Sequence, residues 1–149
     1  MKTLASEQVL AETRSRLRRV TPQDRPLWGR MSAIQMVEHL SCSCDVALGD
    51  RMVTPVSGPP PWLLKLVALR SGLRWPQNTP TTPELLAVLE REPSAPFVVL
   101  VEQAVGKMES LASGARCQAS HPMFGRMSAG DWNRWGYLHA DHHLRQFGR

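Results

Sequence analysis

Three of the chain's five histidines crowd into five positions near the C-terminus, His139-Ala140-Asp141-His142-His143. His139 and His143 are four apart, so on an α-helix they stack on one face. Two neutral imidazoles aimed at one point begin a divalent-metal site, which needs at least a third ligand. His39, a hundred residues upstream, is the best candidate. For these three rings to meet, two helices far apart along the chain must pack side by side. That requirement points to an all-α bundle.

Helix signals agree with it. Ser32-Ala33-Ile34-Gln35 is a capping box that opens a helix running to about Ala47, with Gly49 as its stop. Its apolar positions Ile34, Met36, Val37 and Leu40 surround His39. Ser128-Ala129-Gly130-Asp131 is a second box, and Asp131 also suits the positive end of a helix. The last helix carries Trp132, Trp135, Leu138, His139 and Phe147 along or beside its apolar stripe. Gly29-Arg30-Met31-Ser32-Ala33 recurs as Gly125-Arg126-Met127-Ser128-Ala129, so each histidine-bearing helix has the same lead-in. His39 lies seven residues past its cap, and His139 and His143 eleven and fifteen past theirs. These offsets differ by multiples of four, about one helical turn each. The repeat is too short to imply a repeat architecture.

Elsewhere, residues 5–20 read as a first helix with Val9, Leu10, Leu17 and Val20 approximating one side, stopped at Thr21-Pro22. Phe97, Leu100, Val101, Ala104, Val105, Met108 and Leu111 recur at three and four, the clearest amphipathic helix of the chain, ended by Gly114. Between the second helix and this one lies a long crossover, residues 50–82, rich in proline and including Pro59-Pro60-Pro61. It holds one short apolar helix, Trp62 to Leu69, which lies across the bundle or presents a partner-binding face. A second short helix follows Thr82-Pro83 to about Arg91. The segment Ser113 to Met127 reads as a loop. The expected architecture is an up-and-down four-helix bundle with a proline-rich crossover and short extra helices, in one domain spanning residues 1–149.

Composition bounds the function. With 42% apolar residues the chain is not disordered, and it has no apolar run of about eighteen residues to cross a membrane. The start turns polar too soon for a signal peptide. Three cysteines, with Cys42 and Cys44 too close for an ordinary framework, fit a reducing cytoplasm better than a disulfide scaffold. The charge is +5, part of it in Arg14, Arg16, Arg18 and Arg19. These read as a solvated helix face, since no aromatic residues lie among them to stack on bases. Nucleic acid is therefore disfavoured as a partner.

Three imidazoles on core-facing stripes are expensive to bury without partners, and one shared ion partners all of them. His142, three from His139, is an alternative to His143. Gln146, three on from His143, faces the same way and suits a hydrogen bond to a ligand ring. Cys42 lies on a related face of the His39 helix and is either a thiolate ligand or a small buried apolar group. His121, in the loop, either lines the site entrance or packs a turn. Glu38 and Asp141 adjoin ligands in sequence but point about 100° away, so neither is assigned as a general base.

These residues carry a resemblance. Val37-Glu38-His39-Leu40, followed by His139-x-x-His142-His143-x-x-Gln146, resembles the DinB-like superfamily. His121-Pro122-x-Phe124-Gly125, Ser128-x-x-x-Trp132 and Gln146-Phe147-Gly148 resemble an uncharacterised bacterial branch of it. The resemblance covers about residues 28–48 and 121–148 well and the proline-rich middle loosely. It implies a four-helix bundle, frequent homodimers, and a divalent metal on His39, His139 and His143. Zinc or nickel ranks ahead of iron or manganese. Relatives include transferases and isomerases that use small bacterial thiols. The basic residue usual after the paired histidines is Leu144 here, with Arg145 one later. The expectation is a metal-dependent hydrolase or small-thiol-dependent S-transferase acting on a small molecule. The alternative is a non-catalytic metal-binding or stress-response protein.

Overall fold

In the computed structural model, which describes residues 1–77, 79 and 81–149, the chain is mostly helical. In order come α1 (Glu7–Arg18), α2 (Ala33–Leu48), α3 (Pro61–Arg70), α4 (Pro83–Leu89) and α5 (Phe97–Ser113). A two-stranded antiparallel pair, β1 (Ser120–His121) and β2 (Gly125–Arg126), precedes α6 (Ala129–Gln146). No helix among the described residues is long and apolar enough to cross a membrane. Positions 78 and 80 of the proline-rich crossover lie outside the described residues.

The helix ends follow local chemistry. Ser32 accepts from Gln35 N, while the Gln35 side chain accepts from Ser32 N, at 3.2 and 2.9 Å. Ser128 and Asp131 form the same reciprocal box on α6, each bond at 3.1 Å. Gly49 and Gly114 close α2 and α5 in the left-handed region, at φ 87° and 66°, where a side chain would be strained. α1 is shorter than its pattern suggested. Ser6 occupies the N-cap position without a side-chain cap bond, and Arg19 ends the helix.

α5 packs on α1 and α2, and α6 packs on α1, α2 and α5, so the four long helices contact one another in a closed ring. α3 lies over α6, and α4 lies on α2. One apolar core runs from Leu4 to Phe147 through Leu17, Met36, Leu40, Val101, Met108, Leu111, Trp132 and Leu144. Fully burying each such side chain contributes about 1.5–3 kcal/mol. Leu4, which carries no periodic signal, is 1% exposed and its N–H donates to Asn133 O. It reaches the core at Gly136: a Cβ there would stand 2.7 Å from Leu4 Cδ1 and 2.9 Å from Leu111 Cδ2. α3 lies across the bundle, as one of its two readings expected. Leu69 is buried beneath it, while Trp62, Leu66 and Val67 are exposed.

Polar ties fix the connections. Arg134 on α6 is buried and donates to Leu69 O at 3.1 Å and Lys2 O at 2.7 Å, clamping α3 and the N-terminal segment. Trp132 Nε1 donates to Gln118 O, and Gln118 N donates to Ala47 O, which binds the β pair to α2 and α6. The arginines of α1 are largely committed: Arg14 pairs with Glu109, Arg16 with Asp141, and Arg18 with Glu102.

Candidate metal centre

α2 and α6 lie against each other and bring His39, His139 and His143 together. His39 Nε2 is 3.0 Å from His139 Nε2, and His143 Nε2 is 3.2 Å from His139 Nε2. The three rings stand steeply to one another, with interplanar angles of 77°, 70° and 73° and centroids 4.8–5.0 Å apart. They form a propeller whose nitrogen edges point inward. His39 and His143 are buried and His139 is partly exposed.

One ring's tautomer follows from its neighbours. Gln146 Nε2 donates to Trp28 O at 2.8 Å, which turns Gln146 Oε1 toward His143 Nδ1 at 2.9 Å. An amide oxygen only accepts, so the His143 proton sits on Nδ1 and Nε2 presents its lone pair inward. His39 Nδ1 is buried with no hydrogen-bond partner among the described residues. Burial pushes the His39 pKa down to about 4, helped by repulsion from His142. Burial, then repulsion from His39, lowers His143 to about 3 against the raising effect of Gln146. Burial, followed by repulsion from His143 and His39, lowers His139 well below its ordinary value. All three rings are therefore neutral at pH 7, the form that ligates a metal.

The donor set fits a cation better than it fits itself. Three neutral rings meeting through Nε2 have at most one proton to share if His139 donates. With the His143 lone pair fixed inward, His39 and His139 cannot both be satisfied by single, well-directed bonds. A divalent ion at about 2.0–2.1 Å from each nitrogen in tetrahedral geometry sets neighbouring nitrogens about 3.3 Å apart. The two measured separations lie close to that spacing.

The remaining sequence candidates fall elsewhere. His142 is not part of the cluster. Its ring centroid lies 5.1 Å from that of His143 and it faces Trp28 and Trp75 at 5.9 and 6.3 Å. Cys42 sits in a separate small apolar cluster with Val46 and Leu85, and burial raises its pKa. It is a packed side chain, and its sulfur is not among the converging ligand atoms. His121 does not line the entrance. It is buried, stacks on Phe124 at 4.4 Å, and its Nδ1 accepts from Met123 N and Phe124 N. It thus holds the turn of the β pair, in a segment expected to be an open loop. Glu38 accepts from Ser94 N and Oγ, and Asp141 from Arg16 and Arg145.

Two tryptophans border the cluster: Trp75, which the sequence did not single out, and Trp135, which it placed only on the apolar stripe of the last helix. Trp75, from the crossover, lies 6.1 Å from the His139 ring, its Nε1 fixed on Ala68 O. Trp135, one turn before His139, lies 4.9 Å from it. An isolated aromatic in a proline-rich stretch, Arg74-Trp75-Pro76, was the one available sign of Trp75.

A family model described as a protein of unknown function (DUF1569) matches residues 89–149. The matched stretch holds α5, the β pair and α6, and so His139 and His143 but not His39. Comparisons with curated proteins and with solved structures returned no significant match.

Proposed function

We propose that His39, His139 and His143 hold one divalent cation, and that the chain is a metal-dependent enzyme on a DinB-like bundle. The observation that supports this reading is the convergence of three Nε2 atoms at 3.0 and 3.2 Å, a spacing that matches shared coordination. The closed ring of α1, α2, α5 and α6, with α3 and α4 in the crossover, agrees with a single up-and-down four-helix domain. Three imidazoles without carboxylate or thiolate suit zinc or nickel first, with iron or manganese next.

Three protein ligands leave a position for a water or a substrate. A cation held there supplies Lewis acidity that favours the deprotonated form of a coordinated water or thiol. The chain's part is positional. Gln146 orients His143, while Trp75 and Trp135 lie against the ring of His139. Glu38 accepts from Ser94, and Asp141 from Arg16 and Arg145, so neither carboxylate that adjoins a ligand in sequence is assigned as a base. This suits hydrolysis or transfer of a small thiol, in which the bound nucleophile needs no side-chain base. Three free thiols agree with a reducing, cytoplasmic setting, and the resemblance carries a homodimer. A non-catalytic metal-binding role draws on the burial of His39 and His143, and differs in predicting no exchangeable position.

Elemental analysis of tag-free protein tests the reading. Wild type is expected to hold one equivalent of metal after incubation with zinc, nickel or manganese. His39→Ala should hold none, while His142→Ala should retain it. Stoichiometric metal in neither wild type nor His142→Ala sinks the proposal.

A further inference from the structure

Two adjoining cavities, of about 290 and 320 Å³, share Arg74, Trp75 and Arg145; the three cluster histidines line neither, and the nearest link to them is through Trp75, beside His139, and His142, beside His143. The smaller is bounded also by Trp28 and His142. Along the pair, Lys2, Arg74, Arg134 and Arg145 face a single carboxylate, Asp141. That carboxylate already accepts from Arg16 and Arg145 at 2.8 Å each. Lys2 and Arg134 are engaged as well, by Glu12 and by backbone carbonyls. Arg74 is different: it is exposed and makes no hydrogen bond or ion pair among the described residues. Arg145 uses Nε on Asp141 and leaves its two terminal nitrogens without a protein partner among the described residues. Trp28 Nε1 is buried and has no acceptor among the described residues. The walls are thus a fixed indole, Trp75, and a second indole in need of an acceptor, with two guanidinium groups whose planar forks match an oxyanion.

We infer that this pair of cavities seats an anionic small molecule. Its carboxylate or phosphate is held between Arg74 and Arg145, and its body lies against Trp28 and Trp75 beside His142. The inference names a substrate class for the three-histidine centre, and the molecule's role as substrate rests on the catalytic reading of that centre. Binding alone does not. The small volume suits a metabolite-sized anion, and the α1 arginines that could track a nucleic-acid backbone are already paired.

Calorimetric titration of the full chain at low salt, with inorganic phosphate and separately with succinate, tests it. Saturable binding of at least one probe is expected, weakened roughly tenfold by Arg74→Gln, the loss of one charge-assisted contact. Because Arg74 is exposed and makes no hydrogen bond or ion pair among the described residues, that variant should fold as wild type, which its circular dichroism and melting profile check. Phosphate alone binding identifies a phosphate ester, succinate alone a carboxylate, and either supports the site. Binding should persist in His39→Ala. If neither probe binds saturably, or Arg74→Gln binds as tightly as wild type, the inference fails, whatever the metal content. If the anion binds while wild type takes up no metal, the cavity stands and the metal reading fails.

Discussion

α2 and α6 are a matched pair up to the point where they hold their histidines. Both follow a Gly-Arg-Met-Ser-Ala lead-in, both lead-in glycines have positive φ, at 78° and 63°, and both helices open with a reciprocal capping box. They then diverge. His143 on α6 is held by Gln146, which is itself fixed by Trp28 O, whereas the outer nitrogen of His39 on α2 has no partner among the described residues. The two caps differ too. Gln35 on α2 is neutral and donates to Leu89 O at 2.7 Å, while the Asp131 carboxylate on α6 pairs with the Arg70 guanidinium at 2.8 Å. Both helices are thus tied at both ends, α2 through Gln35 to Leu89 O and Ala47 O to Gln118 N, but only α6 carries a tie that reaches a ring of the cluster. α6 therefore presents a prearranged pair of ligands, and α2 completes the set.

The largest test of that asymmetry is removal of a ligand. His143→Ala and His39→Ala should both abolish stoichiometric metal, read by elemental analysis. Loss in only one of them would break the equivalence of the two helices at the ion.

Acid comes next. The folded pKa values of His39, His121 and His143 are depressed, to about 4, 4 and 3, below an unfolded value of 6.5. The unfolded chain therefore binds protons that the folded chain refuses. Stability is fully present above pH 6.5 and is lost as the pH falls through 4. At pH 5 each histidine is expected to remove on the order of 1–2 kcal/mol from the metal-free protein, read as a lower urea midpoint than at pH 7. A midpoint unchanged between the two pH values would contradict the neutral, buried state of the rings.

Gln146→Leu sharpens the comparison. It should leave the fold in place and weaken metal binding by about 10–100-fold, because His143 loses the acceptor that sets its tautomer. An affinity equal to wild type would show that α6 gains nothing from its extra tie. The smallest effects concern the caps. Ser32→Ala and Ser128→Ala should each cost about 1 kcal/mol by chemical denaturation. Ser128→Ala should be the costlier, since its box also orients the Asp131 carboxylate for Arg70. The reverse order would put the stronger anchor on α2.

Much of this was legible in the sequence because the signals are local. Capping boxes, stop glycines and the three-and-four spacing of α5 need no knowledge of the rest of the chain. The spacing of His139 and His143 predicted a shared face for the same reason. What could not be read depends on distant partners. His121 looks like any loop histidine until Phe124, Trp132 and Trp135 surround it. Leu4 has no periodicity, and its burial depends on the missing side chain at Gly136. Cys42 occupies a plausible ligand face, yet α4 approaches from that side and Leu85 covers it. Trp75 reaches the cluster only because the crossover folds back over α6.

Trp28 has two ends, and they do different work. Its carbonyl steadies Gln146 and through it the ring of His143, while its indole forms part of the cavity wall. Anything that settles against that indole leans on the same residue that sets a ligand's proton. The proposed cleft and the proposed ion site therefore meet at one residue, whose carbonyl sets the His143 tautomer through Gln146.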